Sequence, residues 1–100
     1  MDNGLDIWAV SVEKRILNNK TGKIFTETEL ITRNDGVFTS VNGQLKYGRE
    51  YPADSFAGRV RGVLNTVHSV LDHPTEDRDI VYYRVIPLRK SGRYTPIYVV

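Results

Sequence analysis

Cysteine is absent from this 100-residue chain. That excludes disulfides, a thiolate nucleophile and every cysteine-based metal site, and it suits a reducing, cytosolic compartment. Histidine occurs only at His68 and His73, and tryptophan and methionine once each. No apolar run approaches the roughly 20 residues of a membrane-spanning helix. The first residues, MDNGLDIWAV, carry an early acid and no basic region ahead of a long apolar stretch, so they are not expected to act as a secretion signal. Walker-type phosphate loops, dinucleotide fingerprints, zinc spacings and serine-nucleophile elbows are all missing. No cofactor, no metal and no membrane partner are therefore expected. A strong charge is lacking too: the net charge of +2 does not by itself call for a polyanion.

What is there reads as one folded domain over residues 1–100. Apolar residues make up 40% and charged residues 26%, the proportions of an ordinary globular protein with one core. The first half is punctuated by turn signals at NNKTGK (18–23), RNDG (33–36) and VNGQ (41–44). Asn42-Gly43 is the strongest of them, because a two-residue type I′ turn needs positive φ at both central positions. Between the turns lie LDIWAVSVEKRIL, KIFTETELITR, GVFTS and QLKY, rich in threonine, β-branched and aromatic residues. They predict a four-strand antiparallel meander. Trp8, Val10 and Val12 mark one face of its first strand, and Lys14 reads as an interruption of the alternation.

Residues 55–73, SFAGRVRGVLNTVHSVLDH, predict the one helix. Asp54 or Ser55 can cap its start, and Pro74 forbids its continuation. Phe56, Val60, Val63, Leu64, Val67, Val70 and Leu71 form a continuous helical stripe. Gly58 and Gly62 weaken the helix by about 1 kcal/mol each relative to alanine. With Arg59 and Arg61 they form a notch that either packs against backbone or leaves a bare strip for a partner.

The last segment, DIVYYRVIPLRKSGRYTPIYVV, predicts a second hairpin turning near 90–92, with Pro87 and Pro96 at bulges or edges. The expected fold is α+β, order ββββ-α-ββ, a twisted antiparallel sheet packed on one amphipathic helix. Its expected core is Trp8, Val10, Val12, Phe25, Leu30 and Phe38 from the meander, Phe56, Val60, Val63, Leu64, Val67 and Leu71 from the helix, and Val81, Tyr83 and Val85 from the hairpin. Ile80, Tyr82, Ile86 and Leu88 would then lie on the other face of the hairpin strand. One helix covers one face of a sheet, so this second apolar face calls either for a sheet curled toward a barrel or for a partner, a second copy included.

Candidate chemistry is sparse. His68 and Asp72, four apart on the helix, have the types of an oriented general base but no neighbouring nucleophile. Glu76, Asp77 and Asp79 lack the spacing of a calcium loop. An acidic loop, residues 72–79, is followed by a segment holding Arg84, Arg89, Lys90 and Arg93 and no acid. The leading expectation is a non-enzymatic regulatory or adaptor module that binds another protein or itself, through Tyr82, Arg84, Arg89, Tyr94 and Tyr98, side chains favoured at binding hot spots. The alternative is nucleic-acid binding by Lys20, Lys23, Arg89, Lys90 and Arg93 interleaved with tyrosines.

Overall fold

The computed structural model describes residues 7–33, 36–47 and 55–89, and it is an α+β fold. Strands β1 (Ile7–Leu17), β2 (Ile24–Thr32), β3 (Gly36–Val41) and β4 (Gln44–Tyr47) form the meander. Helix α1 (Phe56–Asp72) follows, then β5 (Asp79–Arg89). All pairings are antiparallel, and the sheet order is β4-β3-β2-β1-β5, so the returning strand adds beside the first one. The second strand expected of the last hairpin, with Lys90, Arg93, Tyr94, Pro96 and Tyr98, lies outside the described residues.

The turns follow the sequence closely. Asn42 and Gly43 both take positive φ, 49° and 86°. The same turn docks on β2: Asn42 N–H donates to the Thr26 carbonyl at 2.9 Å, and Thr26 N–H donates to Asn42 Oδ1 at 3.1 Å. Asn18 closes the β1–β2 turn by accepting through Oδ1 from the N–H groups of Lys20 and Thr21. The helix begins at Ser55, whose Oγ accepts from Gly58 N–H at 2.9 Å, and ends at His73, whose N–H donates to the Ser69 carbonyl. Ser55→Ala is expected to cost about 1 kcal/mol and to lower the melting temperature by roughly 4–8 °C. A thermal melt followed by circular dichroism checks it.

The core lies between α1 and one sheet face. Val10, Val12 and Ile16 of β1 meet Ile31 of β2, Val37 of β3, Ile80 of β5, and Val63 and Val67 of the helix. Two register shifts explain why this core departs from simple alternation. The β1–β5 pairing runs Arg15↔Tyr82 and then Ile16↔Ile80, so Val81 is an extra residue on β5. A bulge of this kind reverses which side chains point inward. Ile80 is therefore buried, whereas Val81, expected inside, is 50% exposed. The second shift, between Ile7 and Ala9, brings Ile7 against the core in place of the expected Trp8, which is half-buried. Leu71 and Val85 are also exposed, Leu71 in the last turn of α1 and Val85 on the outer strand.

Lys14 is the clearest correction. It does not break the alternation but keeps it, at the inward position after Val10 and Val12, and is only 2% exposed. Cross-strand register places Glu27 opposite it and Glu29 opposite Val12, both on the same face. Lys14 Nζ lies 2.9 Å from Glu27 Oε1 and 3.7 Å from Glu29 Oε1. Thr39 Oγ1 donates to Glu29, and Arg78, in the α1–β5 loop, reaches Glu27 at 3.1 Å.

On the opposite face, small residues sit beside large ones. Ser11, buried, lies between Leu30 and Ile86, and Ala9, fully buried, between Thr32 and Leu88. Leu30 and Phe38, expected in the core, lie on this face and are half-buried. Among the described residues β4 and β5 are the outer strands and do not pair, so this part of the sheet does not close.

Candidate functional site

The two ends of the sheet differ in chemistry. At one end the β1–β2 turn meets the α1–β5 loop: Asn19 N–H donates to the Glu76 carbonyl at 2.8 Å, and Asn19 Nδ2 to Asp79 at 3.3 Å. Lys20 and Lys23 therefore stand beside the acidic loop. Arg89 lies at the other end, paired with Ile7. An eleven-residue strand at about 3.3 Å per residue separates the two ends by on the order of 30 Å. The structure thus does not bring Lys20 and Lys23 together with Arg89 as one basic patch, and Lys90 and Arg93 lie outside the described residues.

Tyr82 and Arg84, expected to meet a partner, do share one face of β5. Both are engaged inside the molecule. Arg84 Nε donates to Glu13 Oε1 at 2.8 Å, and the Arg15 guanidinium lies over the Tyr82 ring, 5.2 Å from its centroid. Hydrogen bonding to Glu13 and the charges of Glu13 and Tyr82 raise the already high Arg84 pKa, so this cation is charged throughout. Tyr82 remains 42% exposed. His68 is exposed and meets Tyr83 edge-on with ring centroids 6.1 Å apart; no hydrogen bond joins it to Asp72 among the described residues. No group of three or more potential metal ligands occurs among the described residues.

The two arginines of the helix notch have different surroundings. Arg59 and Arg61 are two residues apart, about 200° around the helix, so they face opposite sides of it. Arg59 turns inward and is buried; its Nη2 donates to the carbonyls of Thr32 at 2.7 Å and Arg33 at 2.6 Å. It ties the first turn of α1 to the β2–β3 turn. Arg61 points the other way and is exposed. Gly58 and Gly62, both half-buried, lie between the two arginines around the helix.

Arg61 borders what the sequence did not reveal. A groove of about 510 Å³ runs between α1 and the start of β1, within the roughly 300–1,000 Å³ of ordinary binding pockets. Its floor is apolar, built by Ile7 and Val10 of β1 and by Phe56, Val60 and Leu64 of α1. Phe56, Val60 and Leu64 are one i, i+4, i+8 row, the half of the apolar stripe that leans away from buried Val63 and Val67. One end is held open by Arg33. Its Nε and Nη2 both donate to the Ile7 carbonyl, at 2.9 and 2.7 Å, while its guanidinium stacks 4.5 Å from the Phe56 ring centroid. Cation–π stacking and two charge-assisted hydrogen bonds thus join three elements at one residue. The polar side chains of the lining among the described residues are Arg33, Arg61, Asn65 and His68.

One sequence signal pointed here: the helical stripe is wider than one sheet contact can cover. The other half of the groove depended on the register shift that brings Ile7 inward. Comparison of the chain with protein-family models, with curated proteins and with solved structures found no match. Among the described residues, no helix is long and apolar enough to cross a membrane.

Proposed function

We propose that this protein is a non-enzymatic binding module of regulatory or adaptor type, acting by contact with another protein or with a second copy of itself. The observation that carries this reading is the groove: a preformed apolar surface on the same side of the sheet as exposed Val85, left uncovered by the single helix. Apolar surface of this kind, bordered by polar residues, marks interaction sites. The contact surface therefore moves from Tyr82 and Arg84, engaged with Arg15 and Glu13, to the groove beside α1. The finer plan, a second strand completing the last hairpin beside β5, is compatible with this placement because the groove lies on the helix side of the sheet.

The nucleic-acid alternative draws no support from the geometry, which separates the described cations, and salt discriminates it. Phosphate binding weakens steeply and linearly in log salt, whereas an apolar interface does not. The deciding experiment is affinity capture from source-cell lysate with the wild type and with Leu64→Glu, with and without nuclease, beside a solution mass measurement. The expected result is nuclease-resistant capture that Leu64→Glu reduces at least tenfold, or a dimer mass that Leu64→Glu converts to monomer. Capture that vanishes with nuclease, or a partner indifferent to Leu64→Glu, overturns the reading.

A further inference from the structure

The chain leaves β5 at the mouth of the groove. Arg89, the last residue of β5, pairs with Ile7, which belongs to the groove floor. Beyond Arg89 the sequence continues as KSGRYTPIYVV, and from Tyr94 onward it carries apolar and aromatic side chains and no charged one. The other stretches next to groove residues suit an apolar floor less well. MDNGLD, ahead of Ile7, holds two acids, and GREYPAD, ahead of Ser55, holds three charged residues and is tied at both ends.

Two seats are open to YTPIYVV: the outer edge of β5 and the groove. The edge is interrupted. The Trp8 carbonyl accepts from Arg33 N–H, so the backbone groups of Trp8 and, two residues on, of Val10 point toward β2. Val10 therefore does not bond to its β5 partner Pro87, which turns its nitrogen to the outer edge with no hydrogen to donate. Proline in that place marks an edge, and Pro96 supplies no donor either. The groove asks only for apolar side chains, and its dimensions fit. A reversal at Ser91-Gly92 sends the chain back from the Ile7 and Phe56 end toward His68, which meets Tyr83 of β5. In an extended segment Tyr94 and Tyr98 stand about 13 Å apart. Phe56 and Leu64, eight residues apart on the helix, are separated by about 12 Å. Exposed Val85, partnered with Val12 of the core row, lies along the same path.

Resting on the reading of this protein as a binding module, we infer that residues 94–100 of this chain are the resting occupant of the groove, with Tyr94 against Phe56 and Val60 and Tyr98 against Leu64. The segment is a strap. A partner reaches the groove by displacing it, so the partner's apparent affinity is lowered according to the fraction of molecules in which the strap is seated.

The chain has no cysteine, so an introduced pair reports one contact. Asn65→Cys, at the exposed rim of the groove, is combined in turn with Thr95→Cys, Ile97→Cys and Val99→Cys in the full chain and equilibrated in glutathione buffer. Tyr82→Cys, on the outer face of the sheet, serves as the reference partner. A disulfide needs Cα atoms within about 7 Å. At least one Asn65 pair is expected to form an intrachain disulfide at least tenfold more readily than its Tyr82 counterpart. Tyr94→Ser with Tyr98→Ser is expected to abolish that preference. It is also expected to raise binding of the apolar dye anilinonaphthalene sulfonate at least tenfold, a rise that Leu64→Glu removes. If the double serine variant does not fold, the disulfide preference, measured in chains that keep both tyrosines, decides. No preference for Asn65 overturns the strap, as does a preference for Tyr82, which seats the segment at the β5 edge. Disulfides formed between chains overturn it too and give the groove to a second copy. Each of those failures leaves the module reading in place while capture stays sensitive to Leu64→Glu. A seated strap with capture indifferent to Leu64→Glu fells the module reading and the gating role together, and leaves the strap as a layer of the core.

Discussion

Lys14→Ala is expected to remove a large share of the stability of this domain. The substitution leaves Glu27 and Glu29 facing one another on a largely covered sheet surface, with Arg78 the remaining cation and Thr39 the remaining hydrogen-bond donor among the described residues. Breaking a buried ion pair from one side costs about 3–5 kcal/mol, a large share of the roughly 5–15 kcal/mol that holds small domains folded. The pH dependence separates this cause from simple loss of volume. Burial alone pushes the Glu27 carboxyl up, but hydrogen bonds and charges from Lys14 and then Arg78 outweigh burial and hold it below its ordinary value. A folded-state pKa below the unfolded one contributes stability above the unfolded pKa, about 4.3 for glutamate, and loses it as pH falls through the lowered folded value. Without Lys14 only Arg78 opposes burial at Glu27, so its carboxyl is expected to rise and protonation to cost the variant less than the wild type. The gap in melting temperature is expected to be wide at pH 7 and to narrow toward pH 4. An equal gap at both would mean that Lys14 acts by packing alone. Lys14→Met combined with Glu27→Gln and Glu29→Gln is expected to recover much of the loss, because neutral groups escape the desolvation cost of charges.

Arg59→Met carries the second large effect. Methionine fills much of the same space but leaves the Thr32 and Arg33 carbonyls without the guanidinium that now donates to both. Hydrogen bonds to charged groups contribute about 1.5–3 kcal/mol each, and buried unsatisfied acceptors carry their own penalty, so a loss of about 2–4 kcal/mol is expected. The loss is local in origin. The β2–β3 turn also carries Arg33, whose stacking on Phe56 shapes one end of the groove. Arg59→Met is therefore expected to weaken groove ligands as well as to destabilise, whereas Ser55→Ala, which loosens the helix start without touching that turn, should destabilise and leave binding at saturating folded fraction unchanged. Urea unfolding together with anisotropy on a groove-binding peptide reads both. Arg59→Met with native stability would show that its hydrogen bonds are replaced by solvent.

The residue pattern made the elements readable but hid the charged ones. Asn42-Gly43, Ser55 and Pro74 act through backbone conformation and near neighbours, so their effects are local and visible in one dimension. Lys14 could not be placed that way. A lysine among valines reads as a break in a strand until Glu27, on another strand, is known to stand opposite it. Val81 and Ile80 changed places for the same reason, since the bulge between them exists only in the pairing of β5 with β1. Arg59 and Arg61 look equivalent in the sequence and differ by half a turn of helix.

By itself, the sequence determined four early strands, one capped helix with a broad apolar stripe, and a chain free of cysteine and of recognisable catalytic motifs. Those properties depend on period, turn chemistry and composition. Tertiary structure decided which face β5 turns to the core, that Lys14 and Arg59 are interior cations, and that Lys20 and Arg89 stand at opposite ends. It also opened the apolar groove beside α1, bordered by Arg61. Each of those is set by strand register and by which half of the helical stripe meets the sheet, and both are relations between residues far apart in the chain.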